Sequence, residues 1–278
     1  MKKNKFNNII GLTLVEILIG IVVSMLMMGA MYTSYSIVNN TYSQVTSRAT
    51  ISRAGRDVVG MMMRDIRMAG FKYYGDTHKY VPGNTVSTLE KSHAPAIITK
   101  EKSAKTSGII DSDDKCCDQI DIVYGDYDFN ADPGEQKFLR YKITYYADRD
   151  PDSLYYTIYK SKKKWNESAN DWEICDHCFT DQPVRDYLVD MEFIATDYNG
   201  KIIDPPPSPI NSNNNKLYAI KAVDVRLTFR SKENFFKTAS TEDKPRLMQG
   251  LGNRSREFFD RFMRESILVS VHTRNIEM

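Results

Sequence analysis

The sequence predicts an α+β protein in which one long N-terminal helix packs on an antiparallel β-sheet head. Three observations predict this fold class. Residues 17–38 form an apolar run without a charged side chain, long enough to span a membrane as a helix. Apolar residues then recur every three or four positions to about residue 68, which is typical of an amphipathic helix. Further along, short segments alternate apolar and polar residues between turn residues, which is typical of antiparallel strands.

The N-terminal junction joins a basic leader to the apolar run. Three lysines precede Gly11, and Glu16 is the one charged residue at the head of the run. An ordinary secretory signal is cut after its apolar core, whereas Gly11, the small residue suited to cleavage, comes before it. Cutting there removes residues 1–11 and keeps a single membrane span at about residues 14–38. The lysines should hold the leader in the cytoplasm, with the rest of the chain across the membrane.

The segment Gly11-Leu12-Thr13-Leu14-Val15-Glu16 resembles the class III signal of type IV prepilins and of type II secretion pseudopilins. In that family a prepilin peptidase cuts after the glycine, the new amino terminus is N-methylated, and the fifth mature residue is glutamate. The resemblance implies these roles for Gly11, Leu12 and Glu16. The family usually has phenylalanine where this chain has Leu12, although it tolerates other apolar residues there.

Glu16 needs a compensating charge, because a carboxylate in a bilayer is costly without a partner. Cleavage after Gly11 creates a positive amine on Leu12, four residues from Glu16 and therefore on the same helix face. The helix dipole also favours a negative charge in the first turn. In an isolated subunit this amine partly compensates Glu16. In a filament the amine of a neighbouring subunit would do so and would set the axial register. The alternative is a plain signal anchor with a tolerated boundary glutamate.

The helix is expected to occupy residues 12–70, with its last helical residue near Met68 and a bend near Gly55 or Gly60. Gly70 suits a C-terminal stop. The membrane half is followed by an amphipathic half that packs on the head. The head is expected to span residues 71–278.

Two further segments extend the resemblance. Residues 63–71, at the end of the predicted helix, and the C-terminal residues 262–275 resemble the corresponding parts of PilW-type minor pilins and J-type pseudopilins. Both matches are looser than the match of the leader. They favour a minor subunit with a large head over the small major pilin.

Strands are predicted where apolar and polar residues alternate in the head. The predicted strands are residues 120–124, 138–146, 154–159, 187–198, 219–229 and 267–273. The second and third are expected to form a hairpin, and the fourth to end at the turn Asn199-Gly200. Residues 72–115 show no clear pattern, and the proline-rich residues 204–215 are interpreted as a linker.

The cysteines are Cys116, Cys117, Cys175 and Cys178. An even number in a head outside the cytoplasm favours disulfides. Three connectivities are possible, and cross-pairing of the 116/117 pair with the 175/178 pair is favoured because an adjacent-residue bridge is strained. One alternative is a zinc site, which adjacent cysteines fit poorly. The other is a redox motif at residues 175–178, which lacks the strand-then-helix setting of a thioredoxin fold.

Oxygen-bearing side chains alternate after the first predicted strand, at Asp126, Asp128, Asn130 and Asp132. Such side chains can converge on Ca²⁺, which takes six to eight oxygen ligands. The match to an EF-hand loop is poor, because Ala131 and Lys137 stand where its glycine and bidentate glutamate belong. The favoured interpretation is an acidic, solvated loop between two strands, with no cofactor or metal.

No catalytic constellation is evident. The histidines are scattered, at His78, His93, His177 and His272, and no nucleophile elbow or phosphate-binding glycine loop is present. Lysines cluster at residues 160–164 beside Trp165, which we interpret as a solvated turn. Without the leader the chain has 35 basic and 36 acidic residues, so it lacks a polybasic signature. We therefore expect neither an enzyme nor a nucleic-acid partner.

The resemblance implies a minor pilin, a structural subunit that acts in type IV pilus assembly at or near the filament tip. Alternatives are a pseudopilin of a type II secretion system and an adhesion module carried on the pilus. Expected partners are other major and minor pilins, the prepilin peptidase/methyltransferase, an inner-membrane assembly platform and membrane lipid. The expected location is a single-pass inner-membrane protein with a periplasmic head, and then the pilus on the cell surface.

Overall fold

The computed structural model describes residues 13–71, 95–100, 116–132, 137–149, 155–166, 168–207, 216–236, 245–252 and 254–275. The chain divides into two compact units, Met1–Arg48 and Ala49–Met278. Helix α1, Leu14–Met68, supplies the described structure of the first unit and enters the second. The strands all belong to the second unit.

Helix α1 ends as the sequence predicts. Gly70 has a φ of +76°, the left-handed conformation that glycine adopts without a steric cost. Its N–H donates to the Val123 carbonyl at 2.9 Å, so the chain leaves the helix directly onto a strand. The predicted last helical residue, Met68, is confirmed.

The described residues form ten strands. Their bounds are β1 Ala96–Thr99, β2 Gln119–Tyr127, β3 Phe138–Asp148, β4 Tyr156–Asn166, β5 Asp171–Glu173, β6 Phe179–Thr196, β7 Ala222–Arg230, β8 Arg246–Gln249, β9 Ser255–Phe258 and β10 Arg264–His272. Within the described part, seven lie in the order β1-β2-β3-β4-β6-β7-β10, with β5 paired to β4. All these pairings are antiparallel, and β8 and β9 form a separate hairpin. The predicted α+β class is confirmed.

One face of α1 packs on the sheet in the second unit. Val58, Met62 and Ile66 are buried at helical spacing, together with alternate residues of the central strands. Gly55 lies so close to the Phe229 ring and Ile267 that an added Cβ would stand 3.2 Å from the ring. The amphipathic pattern therefore predicted the buried face of this half correctly.

The six predicted strands are all present, with different ends. The fourth begins at Phe179 rather than near residue 187, and it ends before a turn in which Gly200 has a φ of +72°. Strand β1 lies within residues 72–115, where the sequence showed no pattern, and β5, β8 and β9 were not predicted. Residues 150–154, between β3 and β4, and residues 208–215 of the proline-rich linker lie outside the described residues.

Candidate functional site

The first candidate site is the start of α1. Gly11 and Leu12 lie outside the described residues, which begin at Thr13. Every side chain from residue 14 to residue 46 is exposed, and Leu26 and Met28 are each 70% exposed. Length and composition make α1 a candidate membrane span, and none of its most apolar stretch is buried. An apolar surface of this extent calls for lipid or other apolar helices around it.

Thr13 and Glu16 form a reciprocal capping box at the start of this helix. The Thr13 N–H and hydroxyl donate to Glu16 Oε2 at 2.8 and 2.9 Å, and the Glu16 N–H donates to Thr13 Oγ1 at 3.3 Å. This exchange satisfies two N–H groups that a helix start otherwise leaves without partners. The sequence analysis concerns only the charge of Glu16, although the spacing Thr13-x-x-Glu16 is the sequence signature of this motif.

The capping box uses only one of the two oxygens of the Glu16 carboxylate. Both hydrogen bonds from Thr13 end on Oε2, whereas Oε1 accepts none from the residues that the structure describes. A carboxylate has lone pairs on both oxygens, so Glu16 can cap its own helix and still accept from a second donor.

The cysteines lie in local pairs in this structure, which differs from the cross-pairing that the sequence favours. Cys116 pairs with Cys117 immediately before β2, and Cys175 pairs with Cys178 in the turn between β5 and β6. The turn brings the second pair together, because the Cys178 N–H donates to the Cys175 carbonyl at 2.9 Å and their Cα atoms lie 4.8 Å apart. The first pair is buried, whereas the second is half-buried.

Within the part of the chain that the structure describes, the acidic segment at the end of β2 does not gather a cation site. Asp126 and Asp128 use their Oδ1 atoms to accept from the N–H groups of Tyr127 and Asn130, each at 2.9 Å. Among the described residues, the ligand atoms of His, Cys, Asp and Glu side chains converge in a single group, Cys116, Cys117 and Asp190. Asp132, the other proposed carboxylate ligand, does not join such a group either. The calcium hypothesis thus gains no support from the geometry.

The lysine cluster is a strand rather than a turn, which corrects the sequence interpretation. Residues 160–164 lie inside β4, which pairs with β3. Lys160 Nζ lies 2.8 Å from Asp65 Oδ2, and Lys162 Nζ lies 4.0 Å from the centre of the Tyr141 ring. Burial lowers the pKa of Lys162. Lys160 therefore serves the helix–sheet contact, and Lys162 packs on a ring of the neighbouring strand β3.

Asp65 is a buried carboxylate that was not predicted as a site residue from the sequence. It accepts from the Tyr145 hydroxyl at 2.5 Å and from Lys160, and it is 5% exposed. Burial and the charge of Asp65 raise the pKa of Tyr145, so the phenol stays protonated and keeps donating. A charged residue within the apolar stripe of a predicted helix was the signal that could have revealed it.

A second buried charge cluster holds the β8–β9 hairpin against the sheet. Asp118, which is fully buried, accepts from Arg254 Nη2 at 2.7 Å and from the Phe193 N–H at 2.9 Å. Glu192 accepts from Arg226 Nη1 at 2.6 Å and from the Leu251 N–H at 2.8 Å. The carboxylates and arginines are thus bonded to one another, which is the arrangement of a structural clasp.

Asp190 is the carboxylate of this cluster with the most altered acidity. Burial raises the pKa of Asp190 to about 6, although the charges of Arg256 and Arg254 oppose the shift. Arg254 Nη1 lies 3.1 Å from its Oδ1, and Arg256 Nε lies 3.7 Å from its Oδ2. No histidine approaches this cluster among the described residues, where His177 and His272 are exposed.

Comparisons with known proteins give a likeness in structure but no match in sequence. No family model and no curated protein sequence matches the chain. A type IV-like pilin from Thermus thermophilus has a TM-score of 0.45 and 10% sequence identity, covering 82% of this chain and 97% of its own. At this identity and score the likeness carries no argument about function.

Proposed function

We propose that the chain is a type IV pilin-like subunit, and specifically a minor pilin that acts in filament assembly at or near the tip. The observation that carries the proposal is the start of α1. There an exposed, uncharged apolar surface is headed by one carboxylate, Glu16, directly after the prepilin-like junction at Gly11.

Cleavage after Gly11 would leave Leu12 as the amino terminus, immediately before the capping residue Thr13. The new amine of a neighbouring subunit is then a suitable donor for Glu16 Oε1, because Thr13 occupies only Oε2. The bond would join two subunits along the filament while each helix keeps its own cap. Glu16 would thus serve helix initiation and assembly with different oxygens.

The proposal implies the remaining partners and the location. Residues 1–11 are the cleaved leader, residues 12–70 the anchor helix and residues 71–278 the head in the periplasm. Lipid surrounds the apolar half until the assembly platform and other pilins replace it. The same anchor would suit a pseudopilin of a secretion system, and deletion of the gene separates the two assignments: loss of filaments supports a pilin and loss of secretion a pseudopilin.

Mass spectrometry of the N-terminal peptide tests the processing step. The mature protein is expected to begin at N-methylated Leu12. Gly11→Ala should slow cleavage and Gly11→Val should block it, because the peptidase must enclose this position closely. Asn8→Ala, within the leader but away from the cut, is the control and should be processed normally. A mature chain that begins beyond residue 30 would refute the proposal.

A further inference from the structure

Exposed arginines form a stripe along the second half of α1. Arg53, Arg56, Arg64 and Arg67 are all exposed. At 3.6 residues per turn they fall within roughly 80° around the helix axis and extend over roughly 21 Å. This arginine stripe lies on the opposite side of the helix from Met62, which is completely buried. It is therefore the outward face of the segment that packs on the sheet.

The stripe runs into a groove beside the end of β10. Arg64, Arg67 and Arg274 line this groove, which has a volume of about 470 Å³ and is open to solvent. Asn275 fixes one wall, because its Nδ2 donates to the Arg67 carbonyl at 3.1 Å. The volume falls within the range of roughly 300–1,000 Å³ that is usual for ligand sites. We call this feature the arginine groove.

The charge of the arginine groove is uncompensated within the described residues. No carboxylate lines it, and none of its three arginines has an ion pair with a described residue. The buried Asp65 is close in sequence but is already bonded to Tyr145 and Lys160. A cation in the last helical turn, such as Arg67, favourably meets the helix dipole. That effect does not account for Arg64, nor for Arg274, which lies on another part of the chain.

The remaining walls indicate what kind of anion fits. Met63 and Met68 give the groove apolar sides, and Gly60 has no atom within 4 Å of where its Cβ would stand. A phosphate alone would engage one or two guanidinium groups and leave the methionines uncovered. A helix that carries carboxylates three or four residues apart would follow the stripe, and a bare glycine would let its backbone come close. Guanidinium groups bind carboxylates through paired hydrogen bonds.

We propose that the arginine groove and stripe bind an acidic helical segment of a neighbouring pilin-like subunit. This inference rests on the proposed function and names the chemistry of the partner surface. Arg64, Arg67 and Arg274 hold the carboxylates, and Met63 and Met68 cover the apolar side chains between them.

A defined peptide tests the proposal on the full-length protein in detergent micelles. The probe is a fluorescein-labelled helical peptide with glutamates at alternating three- and four-residue spacing and leucines beside them. The control peptide has glutamine at each glutamate. Fluorescence anisotropy is expected to show binding of the acidic peptide at least about tenfold tighter than the control, weakening as salt is added. Equal binding of the two peptides would overturn the proposal.

Matched protein variants locate the site. Arg64→Gln with Arg67→Gln should weaken binding of the acidic peptide at least about tenfold. Lys201→Gln with Lys232→Gln removes the same charge from exposed positions elsewhere and should leave binding unchanged. The variant Arg64→Glu with Arg67→Glu should no longer bind the acidic peptide, and it should bind a peptide that has lysine at the glutamate positions. An equal loss in the Lys201/Lys232 variant would show general charge attraction and overturn the assignment.

Two further measurements complete the test. One distinguishes the acidic peptide from other anions as the ligand, and the other distinguishes failure of the groove proposal from failure of the proposed function. Vesicles containing phosphatidylglycerol and a short DNA duplex are offered to the same proteins. If either binds through Arg64 and Arg67 while the acidic peptide does not, the groove is a phosphate site and the proposal fails. Cleavage after Gly11 is measured in parallel in each variant. Normal cleavage with no peptide binding refutes the groove alone, whereas failed cleavage in the wild type with intact peptide binding refutes the proposed function alone.

Discussion

Lys160 of β4 and Asp65 of α1 form an ion pair between the sheet and the helix, with Nζ 2.8 Å from Oδ2. The Tyr145 hydroxyl donates to the same carboxylate oxygen. Only 14% of the lysine side chain and 6% of the aspartate side chain remain exposed. A buried pair of this kind adds little net stability, but removing one partner is costly because the other charge stays buried. The pair therefore favours one register of helix on sheet.

Asp65→Ala should lower the free energy of unfolding by about 3 kcal/mol, because Lys160 and the Tyr145 hydroxyl lose their acceptor. Urea denaturation of the full-length protein in detergent measures the change. The combined variant Asp65→Leu, Tyr145→Phe and Lys160→Met should be closer to the wild type than Asp65→Ala, since no polar group is left unpaired. If Asp65→Ala unfolds at the wild-type urea concentration, the bridge has no structural importance.

Two glycines of α1 provide a matched pair for helix packing. At Gly55 an added Cβ would collide with Ile267 and stand 3.2 Å from the Phe229 ring, whereas at Gly60 it would meet nothing within 4 Å. Gly55→Ala should destabilise the protein by about 1–2 kcal/mol through overpacking. Gly60→Ala should stabilise it by about 0.5–1 kcal/mol, because alanine has the higher helix propensity. Urea midpoints that shift in the same direction for both variants would contradict the packing described for this face.

The long elements were predictable from sequence because each shows its period over many residues. The helix, β3 and β7 alternate or repeat for nine residues or more. Strands β1, β8 and β9 have four residues each, too few for a period to be distinguished from a loop. Their position depends on partners far away in the chain, which no local pattern contains.

In the candidate site too, features formed by neighbouring residues can be found in the sequence, whereas features formed by distant residues cannot. The capping box of Thr13 and Glu16 is local, and its three-residue spacing was present in the sequence. The interpretation of residues 160–164 as a solvated turn was wrong because the burial of Lys160 and Lys162 depends on Asp65 and the Tyr141 ring, which belong to other elements. The arginine groove likewise needs Arg274 beside the end of α1. Whether such basic side chains are buried or exposed depends on tertiary contacts rather than on composition.

Asp190 should make stability fall as pH rises. Burial raises the pKa of Asp190 to about 6 in the folded protein. A carboxyl that holds its proton more tightly when folded stabilises the protein fully below its ordinary pKa, and this contribution is lost as pH rises through about 6. Asp190→Asn keeps the neutral form at every pH. Its unfolding free energy relative to the wild type should therefore increase between about pH 4 and pH 7.5.

Asp260 provides a control of opposite sign. Burial alone would raise the pKa of Asp260, but the hydrogen bond and charge of Arg264 outweigh burial and lower it. Its contribution is present above its ordinary pKa and is lost as pH falls through the lower folded value. Asp260→Asn should therefore lose stability relative to the wild type as pH rises from about 2.5 to 5. Urea titrations at each pH measure both variants, and parallel profiles for the two would refute the assignments.

Local pairing of the cysteines predicts a simple peptide map. Trypsin cuts after Lys137 and Arg140, which separates Cys116 and Cys117 from Cys175 and Cys178. Without reduction, each cysteine pair should remain within one peptide that carries no alkylated thiol. A disulfide that links the two cysteine-containing peptides would support the cross-pairing favoured by the sequence, and four alkylated thiols would exclude disulfides. Cys175→Ser with Cys178→Ser should cost at most about 2 kcal/mol, because the closed loop is so short.

Glu16→Gln separates the two tasks proposed for this residue. Glutamine still accepts from Thr13 through its side-chain carbonyl, so the capping box, membrane insertion and cleavage after Gly11 should persist. The charge that would pair with a neighbouring amine is lost, so incorporation beside other pilins should fall severalfold. Quantitative blots of sheared filaments, and co-purification with partner pilins from membranes, measure this loss.

Two companion variants make the Glu16 result decisive. Thr13→Val removes only the side-chain half of the cap, and it should lower helix stability by about 1 kcal/mol while leaving assembly largely intact. Glu16→Ala loses the charge and the half of the cap that the Glu16 carboxylate supplies, and it should fail in assembly as Glu16→Gln does. Wild-type amounts of the Glu16→Gln subunit in filaments, with normal co-purification, would show that the carboxylate only caps its own helix. Normal filament content with reduced co-purification would instead place the subunit at the very tip, where no subunit lies above it to supply an amine.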